Sequence, residues 1–412
     1  MTAKPPLLPV VDARALIVSR LAALGSETVA LNAALGRVLA ADMAAKVSHP
    51  PANVSAMDGY AVRFEDASTA PVTLHLVGES AAGHPWPGEL KSGKALRIFT
   101  GAHVPNGADA IVIQEDTTHG TGEVTINAAA MRGRHIRPMG LDFRTGDVVL
   151  KAPRRLSARD IGLLAAMNHA TVPVRRKPRV GVISTGDEIV MPGADVGPNQ
   201  LVSANGPGLC AFVAAHGGDA IHLGIAPDDT SALRQMMETA GDVDLLLTSG
   251  GVSVGDHDLV KRVLGDMGLD LAFHRIAMRP GKPLLFGAVR AAKGTTAVMG
   301  LPGNPVSAMI CAILFLGPAL DALQGLPGVL PATMPARLVG AVKANDNRED
   351  YLRSSLGRAA DGMLTVTPYP VQDSAMVAAL ANAEALLVRA PFAPAAQEGE
   401  LVDVLLLDPP HP

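Results

Sequence analysis

Aromatic residues are scarce in this sequence: they make up 3% of 412 residues, with a single Trp. Any core must be aliphatic, built from Ala, Val, Leu, Ile and Met. Cysteine is scarcer still. Cys210 and Cys311 stand in apolar helical patterns with no CxxC or His/Cys spacing. That excludes a disulfide framework and a zinc site and reads as two small core residues. Neither sign of charge dominates, with a net charge of -4 and a pI near 6.3. Without a global basic field, neither nucleic acid nor an anionic membrane is an expected partner, and any anion binding must be local. Long apolar runs are missing as well. The most apolar stretch, Ala308 to Leu316, is too short to span a bilayer and is expected to end at Gly317-Pro318. The N-terminus carries prolines and charges where a signal peptide has an apolar core. These absences point to a soluble, cytoplasmic protein.

What is present is enough to fold. Hydrophobic residues make up 48% and charged residues 18%, over a length that suits two to four domains. The 42 Gly and 32 Pro predict many turns, with functional groups on loops held by strands. Residues 11–45 read as helical from the spacing of Leu16, Leu21, Leu24, Leu31, Leu35, Val38 and Leu39. From about 50 to 150, short β-type runs separated by Gly, Pro and Asn suggest a compact all-β region. Ser157 starts a helix, with Asp160 placed for a capping box, running to about Met167. Arg175-Arg176-Lys177-Pro178 reads as a linker.

From Arg179 to Pro318, strands (RVGVIS, AIHLGIA, VDLLLTSGG, LDLAFHRIAM, TTAVMG) alternate with helical segments. This predicts a doubly wound, mainly parallel α/β sheet. After Pro331, short β runs suggest a small C-terminal β domain.

In such sheets ligands bind beyond the carboxyl ends of the strands. Three of those ends are rich in small polar residues: Ser184-Thr185-Gly186-Asp187-Glu188, Thr248-Ser249-Gly250-Gly251-Val252-Ser253 and Pro302-Gly303-Asn304-Pro305-Val306-Ser307. Glycines let backbone N–H groups approach an anion, and helix N-termini add partial positive charge. A single such exit would equally suit a tight βα turn; three in one domain point to a phosphorylated small molecule. Carboxylates accompany them: Glu188, Asp228-Asp229, Asp256 and Asp258. Facing a phosphate alone they would repel it, whereas Mg²⁺ between carboxylate and phosphate makes sense of both. Asp256 equally fits a helix N-cap, whereas Glu188, Asp228 and Asp258 read as functional. Arg279-Pro280-Gly281-Lys282-Pro283 sets two cations on one turn, suited to an oxyanion or to a solvated surface.

Read in order, SAMDGYAVR, TGAHVPNGADAIVIQED, STGDEI, TSGGVSVGDHD, RPGKP and LPGNPVS resemble the molybdopterin molybdenumtransferase family, the bacterial MoeA type also found as the C-terminal part of gephyrin. The resemblance implies four parts: an extended helical linker domain (1–46 and 146–177), an inserted β domain (47–145), an α/β molybdopterin-binding domain (178–328) and a C-terminal β barrel (329–412). It implies a homodimer with the site in a cleft between subunits. The implied reaction inserts molybdate into adenylylated molybdopterin, with Mg²⁺-dependent release of AMP. By the same resemblance, Asp58, Thr100, Asp142, Glu188, Asp228 and Asp258 are the activity candidates, with Glu188, Asp228 and Asp258 as metal ligands. Thr185, Gly186, Ser249, Gly250, Gly251, Ser253, Pro302, Gly303 and Asn304 would hold the substrate. Arg279, Lys282, Ser307 and Arg348 would face molybdate. A molybdopterin-adenylating protein and molybdoenzyme maturation proteins are the implied partners. This chain departs from the family at Ala52-Asn53-Val54, which lacks an acidic group, at Arg279, where the family usually has Lys, and at Ala378 and Ala379, which replace serines. A non-enzymatic carrier or scaffold of the finished cofactor, or another nucleotide- or sugar-phosphate enzyme on the same fold, are the alternatives.

Overall fold

The computed structural model describes residues 7–251, 259–291 and 294–407. The chain forms two compact units, residues 1–27 with 175–412, and residues 28–174.

The first unit is built on a six-stranded sheet. Its strands are β1 (Arg179–Thr185), β2 (Asp219–Ala226), β3 (Leu245–Ser249), β4 (Asp270–Arg275), β5 (Pro283–Ala291) and β6 (Gly294–Leu301). They lie in the order β2-β1-β3-β6-β5-β4. The pairs β1/β2, β1/β3 and β3/β6 are parallel, and β5 is antiparallel to both β6 and β4. Five strands therefore run one way and only β5 opposes them. Side chains alternate between two buried faces. Val180, Val182, Leu245, Leu247, Met299 and Leu301 enter one core, while Ile183, Leu246 and Val298 enter the other. The helices α1 (Asn205–Ala215), α2 (Thr230–Thr239) and α3 (Leu259–Asp266) link strands β1 to β4. Leu209 and Val213 of α1 lie on the first face, and Leu233, Met237, Val260 and Val263 of α2 and α3 on the second. The sheet is doubly wound, as the alternation of strand and helix predicts.

The helix after β6 runs differently from expectation. It begins as α4 (Pro305–Cys311), widens into a π-helical stretch at Ala312–Leu316, and continues as a helix over Gly317–Leu323. Gly317-Pro318 does not end it. The wider π turn lets the chain pass Pro318, which has no N–H to donate and whose ring would crowd an ordinary turn. The whole stretch, Pro305–Leu323, is long and apolar enough to cross a membrane by length and composition, yet 83% of its most apolar window is buried inside the protein. It packs with the helix Val10–Ser19, whose Val10, Ala13 and Ile17 lie in the same core. Cys311 is fully buried there and Cys210 half-buried, both without a disulfide.

The C-terminal part is a closed five-stranded barrel. Glu349–Arg358, Leu364–Pro368, Met334–Leu338, Leu401–Leu406 and Ala385–Arg389 pair in that order, and the last strand pairs back with the first. The strand read as LDLAFHRIAM splits. Asp270–Arg275 stays in the α/β sheet, whereas Met278–Arg279 pairs with Glu349 and Asp350 of the barrel.

The second unit contains a six-stranded sheet formed by residues between Gly59 and Ile126, as the β-type runs predict. The helical reading of 11–45 holds for Val10–Ser19 and for a single 3-10 turn at Leu31–Ala33. The chain then turns through Gly25 into strands at Ser26–Ala30, Val38–Leu39 and Met43–Ala44. Gly36 has φ +74°, a conformation that breaks a helix. Val38 and Leu39 are buried by pairing with Arg155 and Arg154 rather than by a helical face. The helix Ala158–Ala166 does carry the capping box of Ser157 and Asp160. The basic stretch read as a linker is fastened: Arg176 makes a two-pronged ion pair with Asp244 at 2.8 and 2.7 Å.

Candidate functional site

At the carboxyl ends of β1, β3 and β6 lies a cleft of about 1120 Å³. Each of the three glycine-rich exits reaches it. From the first come Thr185, Gly186 and Glu188; from the second, Ser249, Gly250 and Gly251; from the third, Pro302, Gly303, Asn304 and Ser307. Asp228, at the end of β2, completes the set of predicted residues brought together here. Ser253, Asp256 and Asp258 lie outside the described residues.

The glycines are dictated by close approach. Gly250 and Gly251 have φ +92° and +64°, and a Cβ on Gly250 would stand 2.7 Å from the Thr185 carbonyl oxygen. Gly186 has φ +138°, and a Cβ there would strike the folded-back Glu188 carboxylate at 2.4 Å. Thr185 is 5% exposed, and its Oγ1 is buried with no hydrogen-bond partner among the described residues. A buried hydroxyl without a partner is costly unless a ligand supplies one.

Asn205 joins two exits. Its amide donates to Ser249 Oγ at 2.7 Å and to the Gly303 carbonyl at 2.7 Å, while Ser249 Oγ donates to the Pro302 carbonyl at 3.3 Å. The sequence reading missed Asn205; its one signal was an Asn at the predicted start of a helix behind a serine-rich exit. Arg262, on α3, also lines the cleft and was missed, because its helix reads as an ordinary amphipathic one. The barrel adds a wall. Ser374 accepts from Asn304 Nδ2 at 2.9 Å, and its carbonyl accepts from the Val306 N–H at 3.1 Å. Ala375 and Val377 of that loop line the cleft, whereas Ala378 and Ala379 do not.

The carboxylates divide by role. Asp229 is the N-cap of α2, accepting from the Ala232 N–H at 2.8 Å. Asp228 is not a cap. Its backbone N–H donates to Asp187 at 3.1 Å and leaves its carboxyl free to face the cleft. Burial, then repulsion from Asp187 and Glu188, raises its pKa above the ordinary aspartate value.

Arg279 and Arg348 do not line the cleft. Arg279 donates to Asp350 (Nε to Oδ1 2.9 Å), to Asn345 at 3.1 Å and to Asp346 at 3.5 Å. Arg348 grips the same Asp346 at 3.2 and 2.6 Å, which holds that carboxyl down at about 2. The strand pairing of Met278–Arg279 with the barrel carries Arg279 into this network. The turn read as a free pair of cations is thus half committed to an ion-pair cluster. Lys282 makes no side-chain hydrogen bond or ion pair among the described residues, and its neighbour Pro283 lines the cleft.

In the other unit, Asp58 and Thr100 meet across 42 residues of sequence. Asp58 Oδ1 accepts from the Thr100 N–H and hydroxyl, each at 2.8 Å. These two donors, with Arg97 nearby, lower its pKa. Arg97 is itself fixed between the rings of Tyr60 and Phe99, at 5.0 and 4.8 Å, and donates to Gln114 at 2.7 Å. Asp142 lines a smaller hollow of about 490 Å³ together with His49, His103 and Arg137.

Three family regions match the chain in order: the MoeA N-terminal region (domain I and II) over 8–168, a probable molybdopterin binding domain over 181–322, and the MoeA C-terminal region (domain IV) over 335–407. Among curated proteins, a molybdopterin molybdenumtransferase of Nostoc sp. is 37% identical over 344 residues, 82% of this chain and 78% of that one. Molybdopterin molybdenumtransferase 2 of Mycobacterium tuberculosis is 37% identical over 353 residues, 83% of this chain and 86% of that one. The crystal structure of a molybdopterin biosynthesis MoeA protein from Pyrococcus horikoshii matches over 98% of this chain and 100% of its own, at 32% identity and a TM-score of 0.83.

Proposed function

This chain belongs to the molybdopterin molybdenumtransferase family and acts in molybdenum cofactor biosynthesis, and from that premise we propose that its cleft holds adenylylated molybdopterin, accepts molybdate and releases AMP. The observation that carries the reading is the convergence of three glycine-rich strand exits with Glu188 and Asp228 on one cleft. The exits offer backbone N–H groups and hydroxyls to phosphate oxygens. The Thr185 hydroxyl, without a partner among the described residues, is one such donor. Molybdate binds through its oxygens beside the dithiolene. Water attacks one phosphorus of the anhydride, the bridging P–O bond breaks, AMP leaves while the pterin keeps its own phosphate, and the protons lost by water pass to solvent. The two dithiolene sulfurs bond to molybdenum as one molybdate oxygen leaves as water, taking up the two thiol protons.

Mg²⁺ fits the donor set. Glu188 and Asp228 bring oxygen donors to one cleft, and the repulsion that raises the Asp228 pKa is of the kind a dication relieves. No three His, Cys, Asp or Glu side chains converge as a metal cage among the described residues. Mg²⁺ needs none, since water and phosphate usually fill most of its shell. When bound it would polarise the anhydride and offset charge on the leaving phosphate. Glu188 and Asp228 would hold it; Thr185 and the glycine N–H groups orient the phosphates, on an exit that Ser249 fixes through Asn205 and Pro302; Ala375 and Val377 limit water on the barrel side.

The proposal includes a homodimer in which Asp58 and Thr100 serve the partner subunit's cleft. Asp58 is held ionised by Thr100 and so supplies a carboxylate at neutral pH. A molybdopterin-adenylating protein is the proposed source of substrate and molybdoenzyme maturation proteins the proposed recipients of product. The test is AMP release from adenylylated molybdopterin with Mg²⁺, with and without molybdate. Molybdate-dependent release is expected; release that ignores molybdate, or none, overturns the proposal.

A further inference from the structure

We infer that Arg262 is the residue that recognises the charge of the bound phosphate, a binding and specificity role that rests on the phosphate-holding reading above. Mg²⁺ held by Glu188 and Asp228 would offset those carboxylates, and the phosphate oxygens turned away from the metal still need a cation of the protein's own. Among the described lining residues the only cation is Arg262. Of the two cations on the turn at Arg279, Arg279 is committed to Asp350, Asp346 and Asn345, and Lys282 is not among the residues that line the cleft. Arg262 is exposed, and makes no side-chain hydrogen bond or ion pair among the described residues.

The placement of its helix is fixed by packing. Val260, Val263 and Leu264 are at most 2% exposed and anchor α3 in the core. A Cβ on Gly251 would lie 2.8 Å from Val260, so the glycine turn rests directly on α3. Leu259 and Arg262, one turn apart, are the α3 residues that line the cleft. Arg262 lines the same cleft as that turn, whose N–H groups would face the phosphate. A guanidinium offers a planar fork of donors that matches two phosphate oxygens, which a lysine ammonium cannot reproduce.

The experiment compares wild type, Arg262→Ala, Arg262→Lys and, as a charge control outside the cleft, Arg234→Ala. Two quantities are read on the full-length protein: the Kd for AMP alone by calorimetry, and KM and kcat for adenylylated molybdopterin. A charge-assisted hydrogen bond pair predicts that Arg262→Ala weakens AMP binding and raises KM about ten- to hundredfold, with kcat within about threefold. Arg262→Lys should fall between, Arg234→Ala should match wild type, and the melting temperature of each variant should stay within about 2 °C of wild type, as for an exposed side chain. Arg262→Ala with unchanged Kd and KM overturns the inference while leaving molybdate transfer intact. A variant whose kcat falls with KM unchanged overturns it as well. Arg262-dependent AMP binding by a wild type that shows no molybdate-dependent turnover supports the inference and removes the transfer reading instead.

Discussion

Replacing Asn205 should show whether the glycine-rich exits behave as one rigid piece. The Asn205 amide is the joint. One N–H reaches Ser249 Oγ and the other the Gly303 carbonyl, both at 2.7 Å. A carbonyl only accepts, so the NH₂ end of the amide must face Gly303. The first bond is half-buried and the second faces solvent, so together they contribute about 1.5–2 kcal/mol. In Asn205→Ala that loss should lower the melting temperature by about 2–5 °C for a unit of this size. Affinity for the phosphorylated ligand should fall about tenfold, since Ser249 and Gly303 both line the cleft and small misplacement is costly. Asn205→Asp separates shape from hydrogen bonding. It keeps the outline, loses both donors and sets a carboxylate against the Gly303 oxygen. Ser249 can rotate its hydroxyl to donate, but the carbonyl cannot. Affinity should therefore rank wild type, then Ala, then Asp. Scanning fluorimetry and an AMP titration measure both effects. Asn205→Asp that melts and binds like wild type would refute the joint.

Other expectations follow from the same geometry. Thr100→Val removes one of two donors to Asp58, so the Asp58 pKa rises toward the ordinary value and the acid limb of the kcat/KM profile should move to higher pH. Asp228→Asn should abolish Mg²⁺-dependent turnover yet raise the melting temperature in metal-free buffer by about 1–2 °C. The sign follows because a raised folded pKa means the ionised form costs stability above that pKa, and the amide removes that cost. Gly186→Ala forces a side chain into φ +138° and onto the Glu188 carboxylate, and should cost about 1–3 kcal/mol of stability with loss of activity. Inactive Asp58→Ala and Glu188→Ala proteins, unfolded and refolded together, should regain up to about a quarter of wild-type turnover if the site is shared between subunits, because half the mixed chains form hybrids with one intact site of two; a mixture as inactive as its parts would count against the homodimeric site.

Much of the site could be read before the fold was seen because its residues obey local rules. Gly250 and Gly251 take positive φ and sit on Thr185, so no other residue serves there. The period of the strands and helices placed those turns on one sheet edge. Asp58 and Thr100 came from the family resemblance, and their hydrogen bonds join segments that periodicity alone leaves unrelated. Tertiary pairing was the part that stayed hidden. Leu31 to Leu39 has helical spacing, yet Leu39 is buried against Arg154 and Val174. Pro318 looked like a stop and is absorbed by a π turn. Arg279 looked free and is held by carboxylates about 70 positions away. Asn205 and Arg262 carry no motif, because their roles arise from what α1 and α3 pack against.

The most direct test of the central claim is a stoichiometry. Purified protein is given adenylylated molybdopterin, Mg²⁺ and limiting molybdate, and AMP and pterin-bound molybdenum are quantified in the same sample. The account predicts that one AMP appears for each molybdenum inserted and that neither appears without molybdate. AMP release uncoupled from insertion, or retention of intact adenylylated pterin with molybdate present, would contradict it.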